Sequence, residues 1–341
     1  MIESKVSNKG SELQNRTKID ETDAKILKTL FKESRASFTE IAKDCGISVG
    51  AVRKRYRRLW KTGIINGAIM QVNPRSLGYK CIATIVFITA REDESKVIEF
   101  LRSKPYTRVT FINYFERANM AAVISLHEFD ELSGTMQEID ANPLIKHADA
   151  SIWSKTAGVD YSENLVLTPL INKNDKELHP KSNAINLGKA KIDETDRQIA
   201  KILSHNSRTP FTKIAEKLDI SPKTVIQRYN KLRGAVLTLS TITVSLEKLG
   251  YNAAAHLFIK VKNKSKIPKI SNRLLQIPNL ITVIKFLGGE CDLLSIVVLR
   301  DYQDLFKLKE QVIKIPDIEQ IDTILQKPYD AWPLNVFASL L

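Results

Sequence analysis

An internal duplication constrains this chain more than any other feature. The segment from Lys18, KIDETDAKILKTLFKESRASFTEIAKDCGISVGAVRKRYRRL, recurs from Lys191 as KIDETDRQIAKILSHNSRTPFTKIAEKLDISPKTVIQRYNKL. Shifted by 173 residues, the two match without a gap at 21 of 42 positions. Weaker matches continue downstream: Leu77-Gly78-Tyr79 with Leu249-Gly250-Tyr251, Pro105 with Pro278, and Pro143 with Pro316. The unit is about 140 residues long, far above the 20–50 of a solenoid repeat. The chain is a two-part protein duplicated in tandem, so each local reading can be checked against its copy.

Each copy opens with three short helical patterns. Asp20 is placed to cap a first helix over about 21–33, with Asp23 meeting the helix dipole and Ile26, Leu27 and Leu30 forming its apolar stripe. Ser37-Phe38-Thr39-Glu40 has the spacing of a capping box for a second helix, which Gly46 ends. Ser48 caps a third helix running to about Lys61. Its counterpart is Ser221, followed by Pro222 at the first helical position. Two such helices joined by a turn of a few residues make a helix-turn-helix.

The third helix carries the chemistry. Val52, Tyr56 and Leu59 share one face and should turn inward, as should Val225, Tyr229 and Leu232. The remaining surface of the first copy presents Gly50, Arg53, Lys54, Arg55, Arg57, Arg58 and Lys61. Six cations on one short helix repel each other unless a polyanion is present, and DNA phosphates supply one. Gly50, Arg53 and Lys54 near the helix start are expected at base edges, with Arg53 suited to guanine. Arg57, Arg58 and Lys61 are expected at phosphates. The competing reading is a solvated basic face. The second copy offers Lys223, Ile226, Gln227, Asn230 and Lys231, with Arg228 retained. Gln227 and Asn230 suit adenine, but the phosphate clamp is thinner, so the second module either contacts DNA weakly or serves structure. Lys61–Gly67 reads as a β-wing, which the second copy shortens by one residue.

Beyond the helices, each copy alternates in the order βαββαβ, the pattern of a ferredoxin-like sandwich. The first runs Cys81–Thr89, Glu92–Ser103, Arg108–Phe115, Met120–His127, Glu128–Asp140 and Ile145–Lys155. The second runs Ala255–Val261, Lys266–Gln276, Ile281–Leu287, Leu293–Leu299, Tyr302–Lys314 and Ile318–Leu325. One sheet face is left without helices, and its apolar alternation implies packing on a second sheet. The expected class is α+β: a flexible tail over 1–17, a winged helix-turn-helix over 18–68 and an α/β domain over 69–160. A linker over 161–190, a second winged helix-turn-helix over 191–240, a second α/β domain over 241–330 and a tail over 331–341 complete the chain. Within the linker, LVLTPL is expected to pack on a neighbour.

A net charge of +14 favours nucleic acid or an anionic surface. No apolar run reaches the roughly 18–20 residues of a membrane-spanning helix, and the first 17 residues have no apolar signal core. A cytoplasmic protein that does not enter membranes is expected. Cys45, Cys81 and Cys291 lack metal-ligand spacing and read as plain thiols. No metal or cofactor is expected.

A winged helix-turn-helix followed by βαββαβ resembles the leucine-responsive regulator/AsnC family of transcription regulators. The carrying residues are Ile19-Asp20, Asp23, Ile26-Leu27, Arg35, Ile41-Ala42, Ile47-Ser48, Arg55, Leu59 and Gly63-Ile64-Ile65. The resemblance implies double-stranded DNA as partner, dimers or larger homo-oligomers built through the α/β sheets, and an amino-acid or similar effector. It places the effector at a Gly-x-x-Asp turn, here Gly288-Gly289-Glu290-Cys291-Asp292. The first copy has Phe115-Glu116-Arg117-Ala118-Asn119 instead, so an effector is expected in the second copy alone. A plain β-hairpin turn is the alternative. The tandem fusion departs from the family pattern: one chain folds as an internal pseudo-dimer with an asymmetric site, or two chains pair copy with copy. The fold also resembles that of siroheme decarboxylases, which leaves an enzyme, or an architectural DNA-binding protein, as alternatives. Of the five histidines only His256 is placed to face a cavity, and a satisfied sheet-face histidine is the plainer reading.

Overall fold

The computed structural model describes residues 19–112, 120–154, 160–161, 165, 167 and 190–341. The first copy contains α1 (Glu21–Lys32), α2 (Phe38–Cys45), α3 (Val49–Lys61), β1 (Ile65–Val72), β2 (Cys81–Thr89), α4 (Glu94–Ser103), β3 (Thr107–Ile112), β4 (Met120–Leu126), α5 (Glu131–Asp140) and β5 (Ile145–Trp153). A short strand, β6 (Asp160–Tyr161), follows. The second copy contains α6 (Glu194–His205), α7 (Phe211–Leu218), α8 (Pro222–Leu232), β7 (Leu237–Val244), β8 (Ala253–Val261), α9 (Ile267–Leu274), β9 (Leu280–Leu287), β10 (Leu293–Leu299), α10 (Tyr302–Ile313) and β11 (Ile318–Gln326). Both copies are helix-turn-helix plus βαββαβ, as the sequence pattern requires.

Local chemistry sets the helix ends. Asp20 and Asp23 form a reciprocal capping box on α1, Ser37 and Glu40 do so on α2, and Gly46 closes α2 at φ +66°. That left-handed backbone is cheap for glycine alone. The apolar stripe of α1 is fully buried at Ala24, Ile26, Leu27 and Leu30.

The wing departs from a simple hairpin. Gly63 turns the chain and Ile64 is buried, but the strand that follows, β1, pairs antiparallel with β7 of the other copy, for example Ala68 with Ile242. Each strand feeds two cores. Ile65 and Ala68 lie in the core of α1–α3, where Ile242 and Val244 of β7 join them. Met70 and Val72 lie in the core of α6–α8, together with Leu237. Each helix-turn-helix is completed by a strand from the opposite copy, so β1 and β7 bridge the expected boundaries at 68/69 and 240/241.

The α/β domains join as the alternating strands anticipate. Their helix-covered faces form separate cores, one under α4 and α5 and one under α9 and α10. The helix-free faces share a core in which Ile82 and Val123 meet Ile284, Phe286 and Leu294. The sheets also connect through β5 and β9, where Ile152 pairs with Leu287 and Trp153 with Phe286. The internal pseudo-dimer is thus the arrangement adopted.

Two expectations about connecting segments are revised or sharpened. The stretch after residue 330 is no loose tail: Trp332 is buried against α1–α3, and Phe337 and Leu340 against α6–α8. Trp332 exchanges backbone bonds with Val244 at 2.8 and 2.9 Å, and Asn335 donates to the Met70 and Ser204 carbonyls. The segment AWPLNVFASLL is short but mostly apolar, and it supplies three large anchors. Within the linker, Leu165 and Leu167 are buried in the first core, as LVLTPL suggests. The expected tail over 1–17 lies outside the described residues.

Candidate nucleic-acid interface

The recognition helix α3 begins where the Ser48 hydroxyl accepts from the Ala51 N–H, 3.2 Å away. Val52 and Leu59 are fully buried, and Tyr56 lies against Phe38 at 5.1 Å between ring centroids. That packing leaves Gly50, Arg53, Lys54, Arg57 and Lys61 exposed. The Arg53 guanidinium rests 5.9 Å from the Phe38 ring, which presents it outward.

Two of the six expected DNA cations point elsewhere. Arg55 donates to Asp20 at 2.6 Å and to Asp23 at 2.9 Å, and Arg58 pairs with Asp23. The Asp23 side chain has no solvent exposure. A buried carboxylate is costly unless cations are bound to it, so Arg55 and Arg58 are held by the fold. They tie α3 to the start of α1. The second copy repeats this: Arg228 reaches Asp193 at 2.6 Å and Asp196 at 2.8 Å, and Lys231 reaches Asp196 at 2.5 Å. Burial works to raise the Asp196 pKa, yet the bonds from Lys231 and Arg228 outweigh it and hold the carboxyl below its ordinary value. Of the second-copy candidates, Lys223, Gln227 and Asn230 are exposed on α8, while Arg228 is turned inward.

The two helix-turn-helix units are clamped together. Arg35 donates to the carbonyls of Ser207 and, at 3.0 Å, Thr209. Arg208 donates to those of Ser34 and, at 3.3 Å, Ala36. Each guanidinium also lies over the other copy's aromatics, Arg35 over Phe211 at 4.2 Å and Arg208 over Phe38 and Tyr56. Burial lowers the Arg35 pKa from its ordinary value. From the second copy, Lys248 donates to the Thr62 carbonyl at the end of α3, and Arg233 pairs with Glu33. Except for Arg35, carried by the family resemblance, the sequence reading passed over these residues. The available signal was the Ser-Arg pair present in both copies after the first helix.

The turn between β9 and β10 lies at the junction of the α/β domains. Gly288 and Gly289 both have positive φ. A Cβ on Gly289 would collide with the Ser151 side chain of β5, so the close approach it permits is made by the other copy's strand. Asp292 is buried. It accepts from the Val261 N–H at 2.9 Å and pairs with Lys264 at 3.2 Å. The matching turn of the first copy, Phe115–Asn119, lies outside the described residues. His256 is buried and bonded to the Tyr329 hydroxyl at 2.9 Å, the satisfied sheet-face arrangement.

Residues 19–66 match the model of the winged helix-turn-helix DNA-binding family, and residues 192–233 match the AsnC-type helix-turn-helix domain. The chain is 39% identical over 105 residues to the HTH-type transcriptional regulator LrpA of Pyrococcus horikoshii, covering 31% of this chain and 74% of that one. The chain belongs to the leucine-responsive regulator/AsnC family. It is also 36% identical over 86 residues to the regulatory protein AsnC of Haemophilus influenzae, covering 25% of this chain and 57% of that protein. Among solved structures, the siroheme decarboxylase NirDL superposes with a TM-score of 0.61 over 94% of this chain and 96% of its own, at 16% identity. At that identity the likeness describes the fold alone.

Proposed function

We propose that this AsnC-family chain is a sequence-specific, DNA-binding transcription regulator in which one chain supplies both halves of the usual two-fold reader. The observation that carries this reading is the exposed cationic face of α3, held in fixed relation to α8 by the Arg35/Arg208 clamp and the β1–β7 ribbon. Arg53 and Lys54 serve base edges, and Arg57 and Lys61 hold phosphates. Arg55, Arg58 and Arg228 position their helices. Binding to a random duplex should weaken steeply with salt. Footprinting in parallel with sedimentation should then show one chain covering one bounded site. Shallow salt dependence, or uniform coverage without a bounded site, would overturn the reading, the latter in favour of an architectural role.

An amino-acid effector fits the Gly288-Gly289 turn best as a wedge between domains. Ligand entering there displaces the Ser151 contact or the Lys264–Asp292 pair. The fold shared with a decarboxylase does not by itself carry its chemistry. His256, paired with Tyr329 and buried, is poorly placed for acid–base work.

A further inference from the structure

The two recognition helices are chemically unlike in equivalent frames. Ser48 and Ser221 cap them with nearly the same backbone, φ −70° and ψ 153° against φ −72° and ψ 148°. Arg55 and Arg228 tie them to the same pair of aspartates at the start of the first helix in each copy. A residue of α3 and the residue 173 positions later on α8 therefore occupy matching places. On the solvent faces, Gly50, Arg53, Lys54, Arg57 and Lys61 correspond to Lys223, Ile226, Gln227, Asn230 and Gly234.

The decisive substitution is Ile226 for Arg53. Ile226 is 43% exposed, in the middle of the solvent face of a helix whose inward face is satisfied by Val225, Tyr229 and Leu232. A large β-branched side chain there takes no part in the core beneath the helix and leaves much of its apolar surface in water. The one apolar group a base pair shows in the major groove is the thymine methyl. Its neighbour Gln227 has the paired donor and acceptor that match adenine, whereas Arg53 and Lys54 carry only donors, which match the two acceptors of guanine.

We propose that the operator is chemically polar: a guanine-bearing half-site read by Arg53 and Lys54 of α3, and an A·T half-site read by Ile226 on a thymine methyl and Gln227 on adenine. This rests on the DNA-binding reading above. The clamp makes the polarity directional, because one rigid unit lays the two unlike helices on one duplex. Exchanging the halves cannot be compensated by rotating one subunit, as it can for two identical chains.

The test is site selection from a randomised duplex pool with the full chain and two variants, Ile226→Arg and Arg53→Ile. The wild-type consensus is expected to hold guanine in one half and A·T pairs in the other. Ile226→Arg should turn the A·T half toward guanine and give a near-palindrome. Arg53→Ile should do the reverse. Each variant should change preference at its own half by roughly five- to a hundred-fold. Both positions are exposed, so thermal unfolding of the variants should match the wild type and exclude misfolding as the cause. A palindromic wild-type consensus, or an Ile226→Arg selection identical to wild type, overturns the polar operator while leaving DNA binding intact. No enrichment of any sequence overturns both readings together.

Discussion

Ser34 and Ser207, equivalent residues 173 positions apart, meet through their hydroxyls at 2.6 Å in the buried seam between the two helix-turn-helix units. Only residues on a pseudo-two-fold axis can meet their own counterparts in this way. The bond is part of a chain with a definite sense. Ser240 donates to Glu33 at 2.5 Å, which leaves it to accept from Ser34, and Ser34 then accepts from Ser207. The copies differ along this path, so the axis is approximate at its centre as well as on the DNA face.

The arginines flanking that axis should be the strongest polar contributors to the seam. Arg35→Ala removes two charge-assisted bonds and a cation–π contact and leaves two carbonyls short of a donor. The expected loss is about 2–4 kcal/mol in equilibrium urea unfolding. Arg208→Ala should cost a similar amount. A footprint reduced to one half-site in either variant would locate the damage in the coupling between units. An unchanged unfolding midpoint would show that the ribbon alone holds them.

Salt titration separates the two kinds of cation on α3. Arg57→Ala and Lys61→Ala should each reduce the slope of log affinity against log salt by about 1, because each releases a counterion on binding. Arg58→Ala should leave the slope nearly unchanged and instead lower stability by about 1–2 kcal/mol, since it strips one partner from the buried Asp23. Equal slopes for Arg57→Ala and Arg58→Ala would contradict this division.

The sequence made the helices, caps and strand order legible because these follow local periodicity and end chemistry: Asp20, Ser37, Gly46 and Ser48 all act where their positions imply. It also exposed the duplication, and with it the internal pseudo-dimer as one of two options. The choice between them depended on groups far apart in the chain. β1 finds β7 across about 170 residues, and no local pattern encodes that partner. The destinations of Arg55 and Arg58 were hidden for a related reason. A basic residue on a helix looks the same in sequence whether it meets solvent or a buried carboxylate on another helix. Trp332, Phe337 and Leu340 lie in a short apolar segment broken by Pro333, and nothing local in it names the two cores they fill.

Stability should depend on pH through His256. Burial pushes its pKa from 6.5 to about 4. In the unfolded chain the ring takes up a proton as pH falls through its ordinary value, while the folded ring does so only near 4. Its contribution is therefore complete above 6.5 and declines steadily as pH falls toward 4, by about 3 kcal/mol across the window. Urea midpoints at pH 7.5, 6 and 5 should fall in that order. His256→Gln, which preserves a hydrogen-bonding group beside Tyr329, should flatten the trend. An equal pH dependence in the variant would assign it to other groups.

The effector turn can be tested apart from the fold. Calorimetry with the twenty amino acids should reveal binding that Asp292→Ala abolishes. Because Asp292 also accepts from the Val261 N–H, that variant is expected to lose about 1–3 kcal/mol of stability as well. Lys264→Ala provides the control: Lys264 is largely exposed and its loss should leave folding nearly intact. Undiminished binding in Asp292→Ala would remove the turn from the effector site.

The end segment reaches the same two cores that β1 and β7 bridge, and its removal should be felt in both. Phe337 is 3% exposed and meets Trp153 edge-on at 5.9 Å, in the core that also holds Val225 and Leu232 of α8. Phe337→Ala should cost about 3–5 kcal/mol, the usual penalty for emptying a packed aromatic site. Trp332→Ala should cost a comparable amount through the other core, where its ring lies 5.8 Å from Phe31 of α1. The measurement that distinguishes a strap from two separate plugs is the double variant in urea. Sites far apart and independent give additive losses. Here Asn335, between them, donates to Met70 of β1 and Ser204 of α6, so freeing either end loosens the other. The double variant should lose less than the sum of the two single losses, because the first substitution already releases part of what the second removes. Strict additivity would make Trp332 and Phe337 independent anchors rather than the two ends of one strap.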